Sequence, residues 1–313
     1  MRERHAPSLG HALVLGLLHG PTELLPVSSS AHTTLIPWLA GWPYEDLDPE
    51  LRKSFEVALH AGTALALLLR APWQGPAGPP GGPALAEWHA SRHGRVGASI
   101  GFLVAALIPP ALAGYALGGQ VEGKLGTPAT ISAGLLAGSI AMGAAEVGAQ
   151  RAQKACPTRA RGAPTFRAPK HLLDRPHNVK ARSPASASAR DGLALGVAQA
   201  VALIPGVSRS GATFAAARTR GFSREDADRL SWKVGLPVIA GATLLQGTRL
   251  ARAGTTHKLS VPLAVGAAAA FLSTLASTTT LSARRRVSLL PACAVYRAAL
   301  ALVVVRRMRD NTG

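Results

Sequence analysis

One segment of unusual composition occurs twice in this chain, 180 positions apart. The first copy is Leu15–Thr33, LGLLHGPTELLPVSSSAHT, and the second is Leu195–Thr213, LGVAQAVALIPGVSRSGAT. Laid side by side without a gap, Gly16 falls on Gly196, His19 on Gln199, Leu24 on Ile204, Val27 on Val207, Ser28 on Ser208 and Ser30 on Ser210. Each copy is an apolar run that breaks at a proline, Pro26 or Pro205, and then presents a cluster of hydroxyls. A duplicated, interrupted, polar-tipped helix admits few folds. It predicts a site shared between two related halves of a membrane protein.

The rest of the chain agrees with a membrane setting. Of its 313 residues 48% are hydrophobic and only 16% charged, which is low for a soluble domain. The mean hydropathy is +0.20. The apolar residues gather in blocks at Phe55–Leu69, Val96–Leu117, Pro128–Val147, Leu193–Ile204, Pro237–Leu250, Leu259–Leu281 and Val287–Val305. Several approach the ~20 residues that cross a bilayer. Their Ala and Gly content suits close helix packing in lipid, where no hydrophobic force drives helices together. The fold class expected is all-α: a polytopic helical membrane protein. A large Ala-rich soluble helical protein is the other reading of this composition. The net charge of +18 invites a nucleic-acid reading, but the basic residues lie mainly between the apolar blocks, as in loops flanking spans. No nucleic-acid-binding module is visible. Cys156 and Cys293 are the only cysteines and lie far apart, which suggests neither a metal cluster nor a disulfide framework. The first apolar segment, Leu9–Leu18, lacks a following small-residue cleavage site, so no removed signal peptide is expected.

The order of elements matches between halves: broken segment, charged link, helix, span, span. Residues 1–150 form the first half and 191–313 the second. Between them, Arg151–Arg190 holds ten Lys or Arg and one acid, Asp174, and reads as a basic flexible loop beside anionic headgroups. Three crossings per half would set the halves in opposite orientation, an inverted-topology repeat with two re-entrant broken helix pairs. The charge rule does not orient the chain, because Arg284–Arg286 and Arg306, Arg307 and Arg309 flank a single span.

The two tips carry complementary chemistry. Backbone broken at membrane depth survives only when it is buried in protein or lines a wet cavity. Gly206 and Gly211 let the second tip turn and approach a ligand. A helix starting there favours an anion. Arg209 adds a planar fork of donors suited to phosphate, and Ser208 and Ser210 flank it. The first tip supplies Ser28, Ser29 and Ser30, together with Glu23, suited to proton transfer or metal binding, and His32, an acid, base or nucleophile near neutral pH. Blander roles are open for each: Glu23 and Arg209 as a structural bridge, His32 at an interface, the serines as helix caps.

These residues resemble a known family. PGVSRSGAT, Pro205–Thr213, and GPTELLPVSSSAH, Gly20–His32, are similar to the two signatures of the undecaprenyl-diphosphate phosphatase family, also called the bacitracin-resistance family. FEVALHAGTALALLL, DRLSWKVGLPVI and VYRAALALVV extend the resemblance over most of the chain. It implies an integral-membrane hydrolase that converts the C55 polyprenyl diphosphate to the monophosphate and inorganic phosphate. That reaction recycles the lipid carrier of cell-wall precursors. It also implies a homodimer in the cytoplasmic membrane, with a site facing outward and Mg²⁺ or Ca²⁺ as cofactor. Glu23, Ser29, His32 and Arg209 match the catalytic positions, and Ser28, Ser30, Ser208, Ser210, Gly206 and His19 the phosphate-binding surroundings; Glu23 is the expected metal ligand. The chain departs from the family pattern in three places. His19 replaces the first acid or amide of the acidic pair, His60 replaces a Gln, and Ala31 replaces a Gly. Positions 19 and 23 share a helix face, so His19 weakens a site for hard cations, which prefer oxygen ligands. Two other functions fit the same features. A polyprenyl-phosphate flippase or transporter would share the architecture. A catalytically weakened binder of lipid phosphates is favoured by His19.

Overall fold

The computed structural model of the chain describes residues 7–43, 47, 49–70, 96–155, 182, 184–252 and 260–310. Within them the chain is helical. The first half holds α1 (Leu9–Leu24), α2 (Ser29–Leu39), α3 (Pro49–Arg70), α4 (Val96–Lys124) and α5 (Pro128–Ala155). The second holds α6 (Ala189–Val201), α7 (Arg209–Thr219), α8 (Arg224–Arg252), α9 (Ser260–Thr280), the short α10 (Ala283–Ser288) and α11 (Leu290–Asp310). The run Ala71–Gly82, whose Gly and Pro content reads as a loop, lies outside the described residues, as does most of the basic stretch.

Local sequence sets the helix ends. Ser8 accepts from His11 N to start α1. Ser188 and Asp191 form a reciprocal capping box at α6. α1 stops before Leu25, which is extended because Pro26 follows it. Several elements are longer than the sequence predicts. α3 begins at Pro49 and α8 at Arg224, because the charged residues expected in links continue the helical pattern. The link between α7 and α8 shrinks to residues 220–223.

The halves interlock. α1 packs chiefly against α9, and its counterpart α6 packs chiefly against α4. Small residues make this possible. Ala12, Gly16 and Gly20 line α1, and at the aligned positions Gly192, Gly196 and Ala200 line α6. A Cβ on Gly16 would lie 2.6 Å from the Gly266 carbonyl oxygen of α9, and one on Gly196 would lie 2.8 Å from that of Ala105 in α4. Close backbone approach of this kind is how helices associate in lipid. One core joins Ala12, Leu15, Phe55 and Leu59 to Ala270; another joins Phe102 and Ala106 to Leu195, Phe214, Phe222 and Val234. Each therefore draws on both halves.

Outward faces are apolar: Leu112, Ile140, Leu272 and Val295 are all exposed. Three helices contain stretches long and apolar enough to cross a membrane, Ile100–Leu117, Pro128–Ala152 and Val261–Thr280. α3, α8 and α11 are long enough but carry more charge, so three long helices fall in each half. The chain is an all-α membrane protein.

The end of the basic stretch is docked rather than loose. Arg182 grips Asp191 with two donors, at 2.9 and 2.7 Å, and Arg220 joins at 2.7 Å. Across the bundle, Glu146 of α5 receives Arg218 of α7 at 3.0 Å and Arg224 of α8 at 2.7 Å.

Candidate active site

The two breaks meet. A cavity of about 300 Å³ is lined by Glu23, Ser28, Ser29 and Ser30 from the first tip and by Val207, Ser208, Arg209 and Ser210 from the second. α3 adds Lys53, Glu56 and His60, and α8 adds an apolar wall including Val238, Ile239 and Ala242. The N-termini of α2 and α7 thus both face one space. Their first amides have no intrahelical acceptor, and each end carries a partial positive charge. Two positive ends plus Arg209 around a shared cavity favour an anion between them.

Glu23 joins the tips chemically. It is buried. Ser29 Oγ donates to its Oε2 at 2.6 Å, and Arg209 Nη2 donates to its Oε1 at 3.2 Å. The carboxylate is therefore an acceptor toward a hydroxyl and a guanidinium at once, the arrangement of a base beside a nucleophile. Arg209 Nη1 is buried against Gly235 and has no hydrogen-bond partner among the described residues. The guanidinium sits 5.6 Å from the Trp232 ring and lies over Gly235, where a Cβ would collide with Nη1.

Arg297, which the site reading from sequence does not single out, ties the tips from behind. It is fully buried in α11. Nη1 donates to the Pro26 carbonyl at 3.1 Å, and Nη2 donates to the Gly206 carbonyl at 3.0 Å. Positions 26 and 206 are aligned in the repeat, so one guanidinium satisfies the equivalent broken carbonyl of each half.

Gly206 makes the second turn with φ +93°, and a Cβ there would run into the Ile131 carbonyl. Gly211 does not turn the chain: it lies in the first turn of α7, where its missing Cβ makes room for Met142 Sδ. Ser208 caps α7 by accepting from Gly211 N at 3.3 Å and pairs with Ser210 at 3.1 Å. Ser28 has φ 73° and makes no side-chain cap; its hydroxyl pairs with Ser30 at 3.3 Å. His32 is buried but does not line the cavity. Its Nδ1 is 2.7 Å from the Ser28 carbonyl, which only accepts, so Nδ1 carries the proton. Nε2 then accepts from Tyr296 at 2.7 Å.

His19 lies behind Glu23, edge-on to His60 with ring centroids 4.5 Å apart. One donor atom from each of His19, Glu23 and His60 falls within 4.8 Å of the others. Two imidazole nitrogens and one carboxylate oxygen are a poor match for Mg²⁺ or Ca²⁺, which take oxygen ligands.

The sequence matches the family model described as bacitracin resistance protein BacA over residues 12–303. Among curated proteins, it is 34% identical over 257 residues to the undecaprenyl-diphosphatase of Geobacter metallireducens, covering 82% of each chain. It is 35% identical over 274 residues to that of Geobacter sulfurreducens, with 84% of each covered. A third relative of the same name, from Gemmatimonas aurantiaca, is 31% identical over 307 residues, 96% of this chain and 98% of that one.

Proposed function

The chain belongs to the bacitracin resistance protein BacA family, and from that premise we infer that it is an integral-membrane phosphatase converting undecaprenyl diphosphate to undecaprenyl phosphate and inorganic phosphate. The observation that carries the reading is the run Ser29–Glu23–Arg209, which crosses from one half to the other inside a single cavity.

In this reading the diphosphate lies between the starts of α2 and α7, with Arg209 and the first-turn amides on its oxygens. Glu23 accepts the Ser29 proton as Oγ attacks the terminal phosphorus. The Oγ–P bond forms, the bridging P–O bond breaks, and the lipid monophosphate leaves with the bond's electron pair. A phosphate leaving group needs little protonation, so the main demands are positioning and charge stabilisation. Glu23 releases that proton to solvent, takes another from the water that attacks the serine phosphate, and returns it to Ser29 Oγ as the Oγ–P bond breaks and inorganic phosphate leaves. Arg209 opposes the charge that builds on the equatorial oxygens. His32 holds the Ser28 turn in shape rather than reaching the reacting atoms. The apolar wall from α8 receives the first part of the prenyl tail, which continues into the bilayer.

The chain's family and its apolar exterior support a place in the cytoplasmic membrane, surrounded by lipid, and the resemblance supports a homodimer. Purified protein in detergent should release one inorganic phosphate for each C55 polyprenyl diphosphate consumed. Detergent abolishes transport, so a flippase would release none.

A further inference from the structure

The hydrogen bonds behind Glu23 fix where the proton of buried His19 lies and anchor the ring of half-buried His60. Thr274 Oγ1 donates to the Ala270 carbonyl at 2.6 Å. A hydroxyl has one hydrogen, so Thr274 accepts from Thr63 across their 3.1 Å contact. Thr63 has then spent its own hydrogen and accepts from His19 Nδ1 at 2.9 Å. His19 Nε2 is left with a lone pair. It is buried, on a side chain 1% exposed, and it has no hydrogen-bond partner among the described residues. His60 is fixed in the same sense, because its Nδ1 lies 2.9 Å from the Glu56 carbonyl, which only accepts. Its Nε2 is the ring atom left to face a ligand.

His19 Nε2, the Glu23 carboxylate and His60 Nε2 are thus gathered at one point. Glu23 already accepts from Ser29 and Arg209, but His19 Nε2 is an orphaned acceptor, which is costly in a low-dielectric interior, and a cation at the cluster relieves it. A backbone or hydroxyl acceptor on the far ring nitrogen is also the usual support of a metal-bound histidine. We propose that His19, Glu23 and His60 form a binding site for a borderline-soft first-row divalent ion of the zinc class, in place of the hard Mg²⁺ or Ca²⁺ that the family resemblance implies. Two imidazoles and one carboxylate leave further coordination positions open, and His60 lines the cavity, so an open position faces the space assigned to phosphate. The 4.8 Å spread of the donors is wider than a loaded set, and binding draws them together. Arg209 faces Glu23 from Oε1, so the site carries little net negative charge. Selectivity then rests on the nitrogen donors rather than on charge.

The site shares its cavity with the phosphatase reading, but its test needs neither lipid nor turnover, so either can fail alone. Full-length protein without a polyhistidine tag is stripped with chelator in detergent and titrated with Co²⁺, following its visible absorption. One equivalent should bind with nitrogen-ligand spectra, be displaced by one equivalent of Zn²⁺, and resist a hundredfold excess of Mg²⁺ or Ca²⁺. His19→Gln and His60→Gln should each weaken binding by ~100-fold, and Thr63→Val, which removes the relay but no ligand, by ~10-fold. Melting curves establish that each variant is folded. A folded wild type that binds no Co²⁺ stoichiometrically, displacement by Mg²⁺, or affinity unchanged in the folded His19→Gln/His60→Gln protein would each overturn the proposal.

Discussion

At the break between α1 and α2 the left-handed residue is Ser28, with φ 73°; between α6 and α7 it is Gly206, with φ 93°. The first break is abrupt, with Leu25 extended ahead of Pro26. The second winds down through successive turns from Ala202 to Val207. Both deliver a carbonyl to Arg297 and a helix start to the same cavity. The backbone device is therefore held in common while the side chains have diverged. One copy carries the hydrogen-bonded pair Glu23 and Ser29, and the other carries the fixed charge of Arg209. Two helix starts facing one cavity favour an anion by geometry, and the unequal side chains set a carboxylate and a hydroxyl beside a guanidinium.

That division of labour can be broken at graded points. The largest effect belongs to Arg209, the charged partner of the second tip. Arg209→Ala should lower phosphate release by ~1,000-fold, as loss of an arginine on a transferring phosphoryl group does. Arg209→Lys should recover only part, lacking the planar fork. Next are Glu23→Gln and Ser29→Ala, each expected to cost ~100-fold or more in kcat, measured by the same assay with melting curves unchanged. Arg297→Met removes the clamp shared by both tips, leaving the Pro26 carbonyl without its donor and the Gly206 carbonyl with Ser208 N alone. A loss of about 2–4 kcal/mol is expected, seen as a lower Tm. The smallest effects separate the two turns. Gly206→Ala should destabilise by about 1–3 kcal/mol, whereas Ser28→Gly should be neutral or stabilising by up to about 1 kcal/mol, because it relieves a strained φ.

The repeat, the helical class and the contributions of Glu23, Ser29 and Arg209 were legible in the chain because each is written locally. A proline, a hydroxyl cluster and a small-residue stripe act within a few residues of themselves. Arg297 was not legible: it sits in an apolar helix, and its partners lie in the two tips and α5, more than 90 positions away. Gly235 was equally silent, since its value is the space it leaves for Arg209. Gly211 misled, because a glycine after a hydroxyl cluster reads as a turn, whereas here it serves helix packing. His32 reads in the sequence as an acid, base or nucleophile, but nothing local reports its direction, which Tyr296 fixes from α11. Long-range contacts of this kind leave no periodic trace in one sequence.

The central claim is that the two copies act as one site. A double-mutant cycle on phosphate release with Glu23→Gln and Arg209→Ala tests it most directly. Groups that act as a unit are grossly non-additive, so the double variant should be little worse than Arg209→Ala alone. If the two losses multiply instead, the copies contribute independently, and the joined site described here is wrong.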